Sequence, residues 1–127
     1  MGCGNSKVKV GISDPWDEEG TKLVETLEAN TLKELGWKQD EYVAKYTNIE
    51  MDGAPYRVRT FYFKCEDTSK KTLILTHGFM ANIIGFCNLL RPLAEEYRLI
   101  AFDNCNWGLN TRSPAGIAAC DSADLAE

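Results

Sequence analysis

Hydrophobic and polar positions divide the chain into four stretches. Residues 1–20 are polar and glycine-rich and read as a flexible tether. Between Thr21 and Leu35 the leucines Leu23, Leu27, Leu32 and Leu35 recur at mainly helical spacing. Gly36 supplies the stop, as glycine does just past a helix end, and Trp37 stands ready to pack that helix onto the body. The spacing therefore predicts a helical segment over 21–40. Two strand-like runs follow, Glu41–Met51 and Pro55–Cys65, separated by Asp52-Gly53, a strong two-residue hairpin signal. In the second run Tyr56, Val58, Thr60 and Tyr62 alternate with Arg57, Arg59, Phe61 and Phe63. One partly charged face is what an antiparallel edge hairpin presents to water.

Beyond the polar loop 66–70 the pattern changes. Thr72–Thr76 is a short continuous apolar run, the mark of a strand buried on both faces of a parallel sheet. Ile83, Ile84, Phe86, Leu89, Leu90 and Leu93 then form a helical stripe to about Glu96, and a second apolar run, Tyr97–Phe102, ends in Asp103. Strand, helix and strand within about 32 residues make a βαβ unit. The fold class is α/β: an antiparallel hairpin leading into a parallel βαβ sheet. In this arrangement Tyr97–Phe102 is expected to lack a neighbour on its outer side.

Composition narrows the function classes. At 127 residues, with 44% apolar and 26% charged, the chain is sized for one globular domain. The longest uncharged stretch, 72–90, is interrupted by His77 and two glycines, so it is not the ~20-residue apolar run of a membrane span. The net charge of −5 without a basic stripe excludes the electrostatic footprint of a nucleic-acid binder. Five cysteines, at 3, 65, 87, 105 and 120, contain no C-x-x-C, and there is one histidine. No metal site and no cofactor are expected, and the thiols fit a reducing compartment.

The first residues, Met1-Gly2-Cys3-Gly4-Asn5-Ser6, match M-G-x-x-x-[ST], the acceptor pattern for myristoylation of Gly2. One myristoyl chain gives only marginal membrane binding. Lys7 and Lys9 are soon followed by Asp14, Asp17, Glu18 and Glu19, so no polybasic patch supplies the second signal. Palmitoylation of Cys3 does, and it places the protein in the cytoplasm, peripheral on a membrane.

The ends of the two buried runs carry the chemistry. The first reads Thr76-His77-Gly78-Phe79-Met80. The second reads Phe102-Asp103-Asn104-Cys105-Asn106-Trp107-Gly108 and continues to Arg112. Ligands of open α/β sheets bind beyond the carboxyl ends of strands, which puts both loops at one site edge. An apolar strand, H-G-F, a helix, and a strand ending F-D-x-x-x-x-G-x-x-x-R resemble the α/β-hydrolase fold family. More narrowly, they resemble the branch holding the N-acylphospholipid lipases and the lipid-droplet lipase co-activator. The resemblance covers 41–127 and implies the N-terminal portion of that fold, incomplete because 127 precedes the nucleophile strand. It implies that His77, Gly78, Phe79 and Met80 form the oxyanion-hole loop, with the Phe79 amide as donor, Met80 as its adjacent alternative, Gly78 giving room and His77 holding the loop in shape. Asp103, Asn106, Trp107 and Gly108 then form the site-edge loop, where Asn106-Trp107-Gly108 replaces the family's usual G-x-G.

The decisive departure is the nucleophile. No G-x-S-x-G occurs, neither Ser113 nor Ser122 sits in such an elbow, and the one histidine lies in the oxyanion loop. Two readings follow. In the first, this is the N-terminal segment of a membrane-associated hydrolase-like protein acting on lipid or acyl-ester substrates, completed by a C-terminal half. In the second, it is a non-catalytic, lipid-anchored interaction or co-activator module. Bare sheet edges weigh toward the first and invite a protein partner to cover them. Either way, the 127 residues alone lack the means of acyl transfer.

Overall fold

Asp17 starts the first helix: its carboxylate accepts the Gly20 amide at 2.7 Å, and Glu18 and Glu19 follow where the helix dipole favours negative charge. The computed structural model describes residues 16–51, 54–78, 81–105 and 107–110. Helix α1 spans Glu18–Glu34, beginning three residues before the leucine periodicity does. It ends in a Schellman motif. Gly36 takes φ 83°, its amide reaches the Lys33 carbonyl at 3.0 Å, and the Trp37 amide reaches the Leu32 carbonyl at 2.9 Å. Leu32 and Trp37 accordingly enter the core together.

Strands β1 (Tyr42–Met51) and β2 (Ala54–Phe63) pair antiparallel as the expected hairpin, closing with Met51 opposite Ala54. The Asp52-Gly53 turn lies outside the described residues. Strand β3 (Thr72–Thr76) leads through a 3₁₀ turn at Ile83–Phe86 into helix α2 (Cys87–Glu96) and then strand β4 (Arg98–Phe102). Lys70 donates to the Ala94 and Glu95 carbonyls and so caps the C-terminal end of α2. β3 and β4 are parallel, Leu73 beside Leu99 and Thr76 beside Phe102. The result is a mixed α/β fold, a hairpin continued into a parallel pair, in the strand order β1-β2-β4-β3.

That order corrects two expectations. β4 is an inner strand: Thr60, Phe61 and Tyr62 of β2 pair antiparallel with Phe102, Ala101 and Ile100, so Tyr97–Phe102 has a neighbour on each side. Among the described strands β3 takes the edge instead. Its apolar run is covered on one face only, with Leu73 and Leu75 packed against the core and Ile74 58% exposed. A continuous apolar run therefore does not distinguish a doubly buried strand from an edge strand with one covered face.

The core lies on the α2 side of the sheet. Phe61, Phe63, Leu99 and Ala101 pack with Leu90, Ile83, Leu32, Trp37 and Tyr42. The Trp37 and Phe63 ring centroids are 4.7 Å apart, and the Arg91 guanidinium lies 3.8 Å over the indole while pairing with Glu41 at 2.9 Å. Those hydrogen bonds, with that of the Lys38 amide, hold the partly exposed Glu41 carboxyl down at about 2.

The charged face of the hairpin is turned inward, contrary to expectation. Arg59 is only 6% exposed and meets Glu28 of α1 through Nη2 at 2.8 Å and Nε at 3.1 Å, with Glu25 at 3.5 Å from Nη1. The Tyr46 hydroxyl donates to Glu25 at 2.8 Å. Burial raises the Glu28 pKa and the Arg59 charge partly offsets it. Because Glu28 and Leu32 share the inner side of α1, Leu23 and Leu27 point outward, 61% and 56% exposed.

Candidate functional site

Parallel pairing of β3 with β4 brings their carboxyl ends together, and both site loops leave from there. His77, buried at the end of β3, is the tie between them. The Asn104 amide donates to His77 Nε2 at 2.9 Å, so that nitrogen presents its lone pair. Nδ1 then carries the proton, which goes to the Gly78 carbonyl at 2.8 Å. The Asn104 side-chain amide returns a hydrogen bond to the His77 carbonyl at 2.6 Å. Both ring nitrogens are thus engaged with backbone, and neither is turned to an outside substrate.

Asp103, at the end of β4, braces the second loop. Its Oδ1 accepts the Ile83 amide at 2.8 Å, which fixes the start of the 3₁₀ turn relative to β4. Its Oδ2 lies against the Gly108–Leu109 backbone. Burial raises the Asp103 pKa, and the Ile83 amide acts against that rise. Gly108 takes φ 56°, and a Cβ there would stand 1.9 Å from Asp103 Oδ2. The D-x-x-x-x-G spacing thus has a local cause: the carboxylate occupies the volume of the missing side chain.

Asn110 completes the brace and escaped the sequence reading. It is 1% exposed, and its Oδ1 accepts the Arg59 amide of β2 at 2.5 Å. Its Nδ2 donates to the Asp103 and Asn104 carbonyls at 2.6 and 2.9 Å. One side chain thus joins β2 to the loop after β4. Asparagine in a polar loop is common, and sequence spacing gave no sign of this role.

The structure brings together His77, Gly78, Asp103, Trp107 and Gly108, whereas Phe79, Met80, Asn106, Gly2 and Cys3 lie outside the described residues. Gly78 is exposed, has no positive φ, and no atom lies within 4 Å of where its Cβ would be. Nothing in the described residues demands glycine there. Among the described residues no group of His, Cys, Asp and Glu is arranged to hold a metal, and no helix is long and apolar enough to cross a membrane. A cleft of about 740 Å³ opens elsewhere, between α1 and β1, beside the Arg59–Glu28 pair.

No family model matches the chain, and no curated protein does. Among solved structures it is similar to a membrane phospholipase A described as a bacterial virulence factor, at 21% identity over 71% of this chain and 26% of that one, with a TM-score of 0.48. It is also similar to the Cif epoxide hydrolase from Acinetobacter nosocomialis, at 13% identity over 83% of this chain and 30% of that one, with a TM-score of 0.47. A third likeness is to Macrostomum lignano glutaminyl cyclase, at 15% identity over 87% and 41% of the two chains, with a TM-score of 0.38. The chain spans between 26% and 41% of the length of these structures.

Proposed function

We propose that this chain is the N-terminal segment of a membrane-associated α/β-hydrolase-like protein that acts on lipid or acyl-ester substrates. It supplies the oxyanion-hole loop, and a C-terminal half supplies the nucleophile and the base. The observation that supports this reading is the shared end of β3 and β4, where the His77 loop and the Asp103 loop are cross-braced by Asn104 and Ile83. A rigid loop is what an oxyanion donor requires, since its amide must be aimed before charge develops. In this reading the Phe79 amide is the donor, Met80 its neighbour, and the open side of Gly78 admits the substrate carbonyl. His77 is a positioning residue. The F-D-x-x-x-x-G-x-x-x-R run carries the narrower reading toward the N-acylphospholipid lipase branch, and acylation at Gly2 and Cys3 would hold the protein on its substrate surface.

The 127 residues cannot transfer an acyl group by themselves: no elbow serine is present, and both nitrogens of the single histidine are occupied. The test is fluorophosphonate labelling of two products, the 127-residue chain and the product of its reading frame continued past Glu127. We expect the first to stay unlabelled and the second to label at a serine in a G-x-S-x-G elbow. A reading frame that closes at Glu127, with no labelled product, overturns the enzymatic reading in favour of a lipid-anchored, non-catalytic module.

A further inference from the structure

The chain holds one histidine, and the side chains of His77 and Asp103 are each only 1% exposed. His77 Nε2 has two neighbours beyond the end of β4: the Asn104 amide at 2.9 Å, which donates to it, and Asp103 Oδ1 at 3.8 Å. A neutral ring protonated at Nδ1 serves the first neighbour. A ring protonated at both nitrogens cannot, because its Nε2–H then faces another N–H. Asp103 Oδ1 is the acceptor at hand. It already takes the Ile83 amide at 2.8 Å and has a second lone pair to offer.

The peptide between Asp103 and Asn104 is held at both ends. His77 Nε2 takes its N–H, and Asn110 Nδ2 donates to its carbonyl at 2.6 Å. A peptide plane turns as one unit, so releasing the N–H displaces the carbonyl as well. Asn110 in turn holds the Arg59 amide of β2. A proton on one buried ring is thereby connected, through one peptide and one side chain, to the tie between β2 and the loop after β4.

We propose that His77 is a proton-operated latch between the two site loops. Neutral, it ties the loop after β4 to the end of β3. Protonated, it turns its Nε2–H to the Asp103 carboxylate and frees the Asn104 peptide. The latch concerns the protein's own loops, goes beyond the reaction proposed above and does not rest on it. The charges around the ring favour the second position. Beyond β4 stands Asp103. The next charges are Arg59 of β2 and Glu28 of α1, and these two pair with each other. The 3₁₀ turn Ile83–Phe86 brings no titratable group, and α2 brings Cys87 and then Arg91, which is paired with Glu41. The described part of the loop after β4 adds only the Cys105 thiol. Burial raises the Asp103 pKa, and the Ile83 amide and a positive His77 act against that rise, so the two opposite charges favour each other.

The experiment is an NMR titration of the 127-residue chain from about pH 8 to about pH 5, the range over which histidines change charge. With one histidine present, the long-range proton–nitrogen signals of the ring belong to His77 alone. At the alkaline end the ring should show the Nδ1–H tautomer. On acidification it should gain its second proton. At the same midpoint the Asn104 amide should lose about tenfold or more of its protection against hydrogen exchange. The amides of Ile83 and of Phe61, on the inner strand β2, should keep theirs, which separates an untied loop from acid unfolding. His77→Gln places a non-titrating acceptor where Nε2 stands, and its Asn104 amide should stay protected throughout. Asp103→Asn removes the charge that stabilises the protonated ring and should move the coupled step to lower pH. An Nε2–H tautomer at the alkaline end overturns the latch, as does a ring that titrates while Asn104 stays protected. Loss of Ile83 and Phe61 protection in the same step, or a ring that stays neutral until the fold is lost, overturns it too. So does a His77→Gln chain whose Asn104 amide opens in acid as in wild type. If that variant does not fold, the wild-type titration decides alone.

Discussion

Gly108→Ala should be among the most damaging single-methyl additions in this chain, and Gly36→Ala a mild one, although both glycines take positive φ. At Gly36, φ is 83° and nothing lies within 4 Å of the new Cβ, so only backbone strain is added, about 1 kcal/mol. At Gly108 the strain is similar, but the Cβ would stand 1.9 Å from Asp103 Oδ2 and 2.5 Å from its Cγ. The carboxylate must move, and it is 1% exposed with the Ile83 amide on its other oxygen. Losing a hydrogen bond to a charged acceptor adds about 1.5–3 kcal/mol. The total is about 2.5–4 kcal/mol, a large share of the ~5–15 kcal/mol that stabilises a domain. Urea unfolding followed by circular dichroism reads the difference as a shift in midpoint at constant slope. An Asp103→Ala background supplies the control, because it leaves only the Asp103 Cβ at 3.2 Å. There, Gly108→Ala should cost little more than Gly36→Ala. Equal costs for the two glycines in the wild-type background, or an undiminished Gly108→Ala cost without the carboxylate, would refute the steric argument.

Arg59→Met should destabilise by about 3–5 kcal/mol, since it strands the buried Glu28 carboxylate, while Arg59→Met/Glu28→Leu should recover most of that in the same urea assay. Asn110→Asp should unfold at lower urea than Asn110→Ala at neutral pH, because it aims a carboxylate at the Asp103 and Asn104 carbonyls. Acidification should narrow that gap. The Glu41 carboxyl, held near 2 against an ordinary 4.5, contributes stability above pH 4.5 that is lost as pH falls toward 2. Carbon-detected NMR titration of Arg91→Ala should show the Glu41 pKa rising back toward 4.5. Glu28, raised by burial, has the opposite sign: its contribution is present at low pH and is lost as pH rises through its folded pKa.

What could be read from the sequence was whatever has a local cause. The Gly36 stop, the Asp52-Gly53 spacing and the D-x-x-x-x-G loop act over a few residues, and the element order follows from them; the Asp17 cap is just as local, but it lies in the stretch read as a tether and was missed. What could not be read depends on partners distant along the chain. The leucine period of α1 groups Leu23 and Leu27 with Leu32 and Leu35, but Arg59 on β2 draws the Glu28 side inward, so only Leu32 and Leu35 reach the core and the other two face outward. The run Thr72–Thr76 looks the same whether a strand is inner or edge, and only the insertion of β4 beside β2 decides it. Asn110 bridges residues 51 positions apart, and no periodicity announces such a contact. At the site, the residue types at the ends of β3 and β4 identified the loops. The hydrogen bonds that tie His77 to Asn104 emerged only from the geometry.

The inner position of β4 also sets the order in which the sheet can assemble on a ribosome. The hairpin is complete once Phe63 is made and can close in microseconds. β3 comes next, yet its sheet partner among the described residues is β4, which emerges later. At ~5–20 residues per second, β3 waits roughly 1–5 s for β4 to appear. Throughout that interval the free side of β2 at Thr60–Tyr62 and the whole of β3 are exposed to other nascent chains. When β4 arrives it closes both gaps at once. Hairpin and parallel pair thereby become a single cooperative unit, and slowing translation between Thr76 and Phe102 prolongs the interval in which misassembly competes with folding.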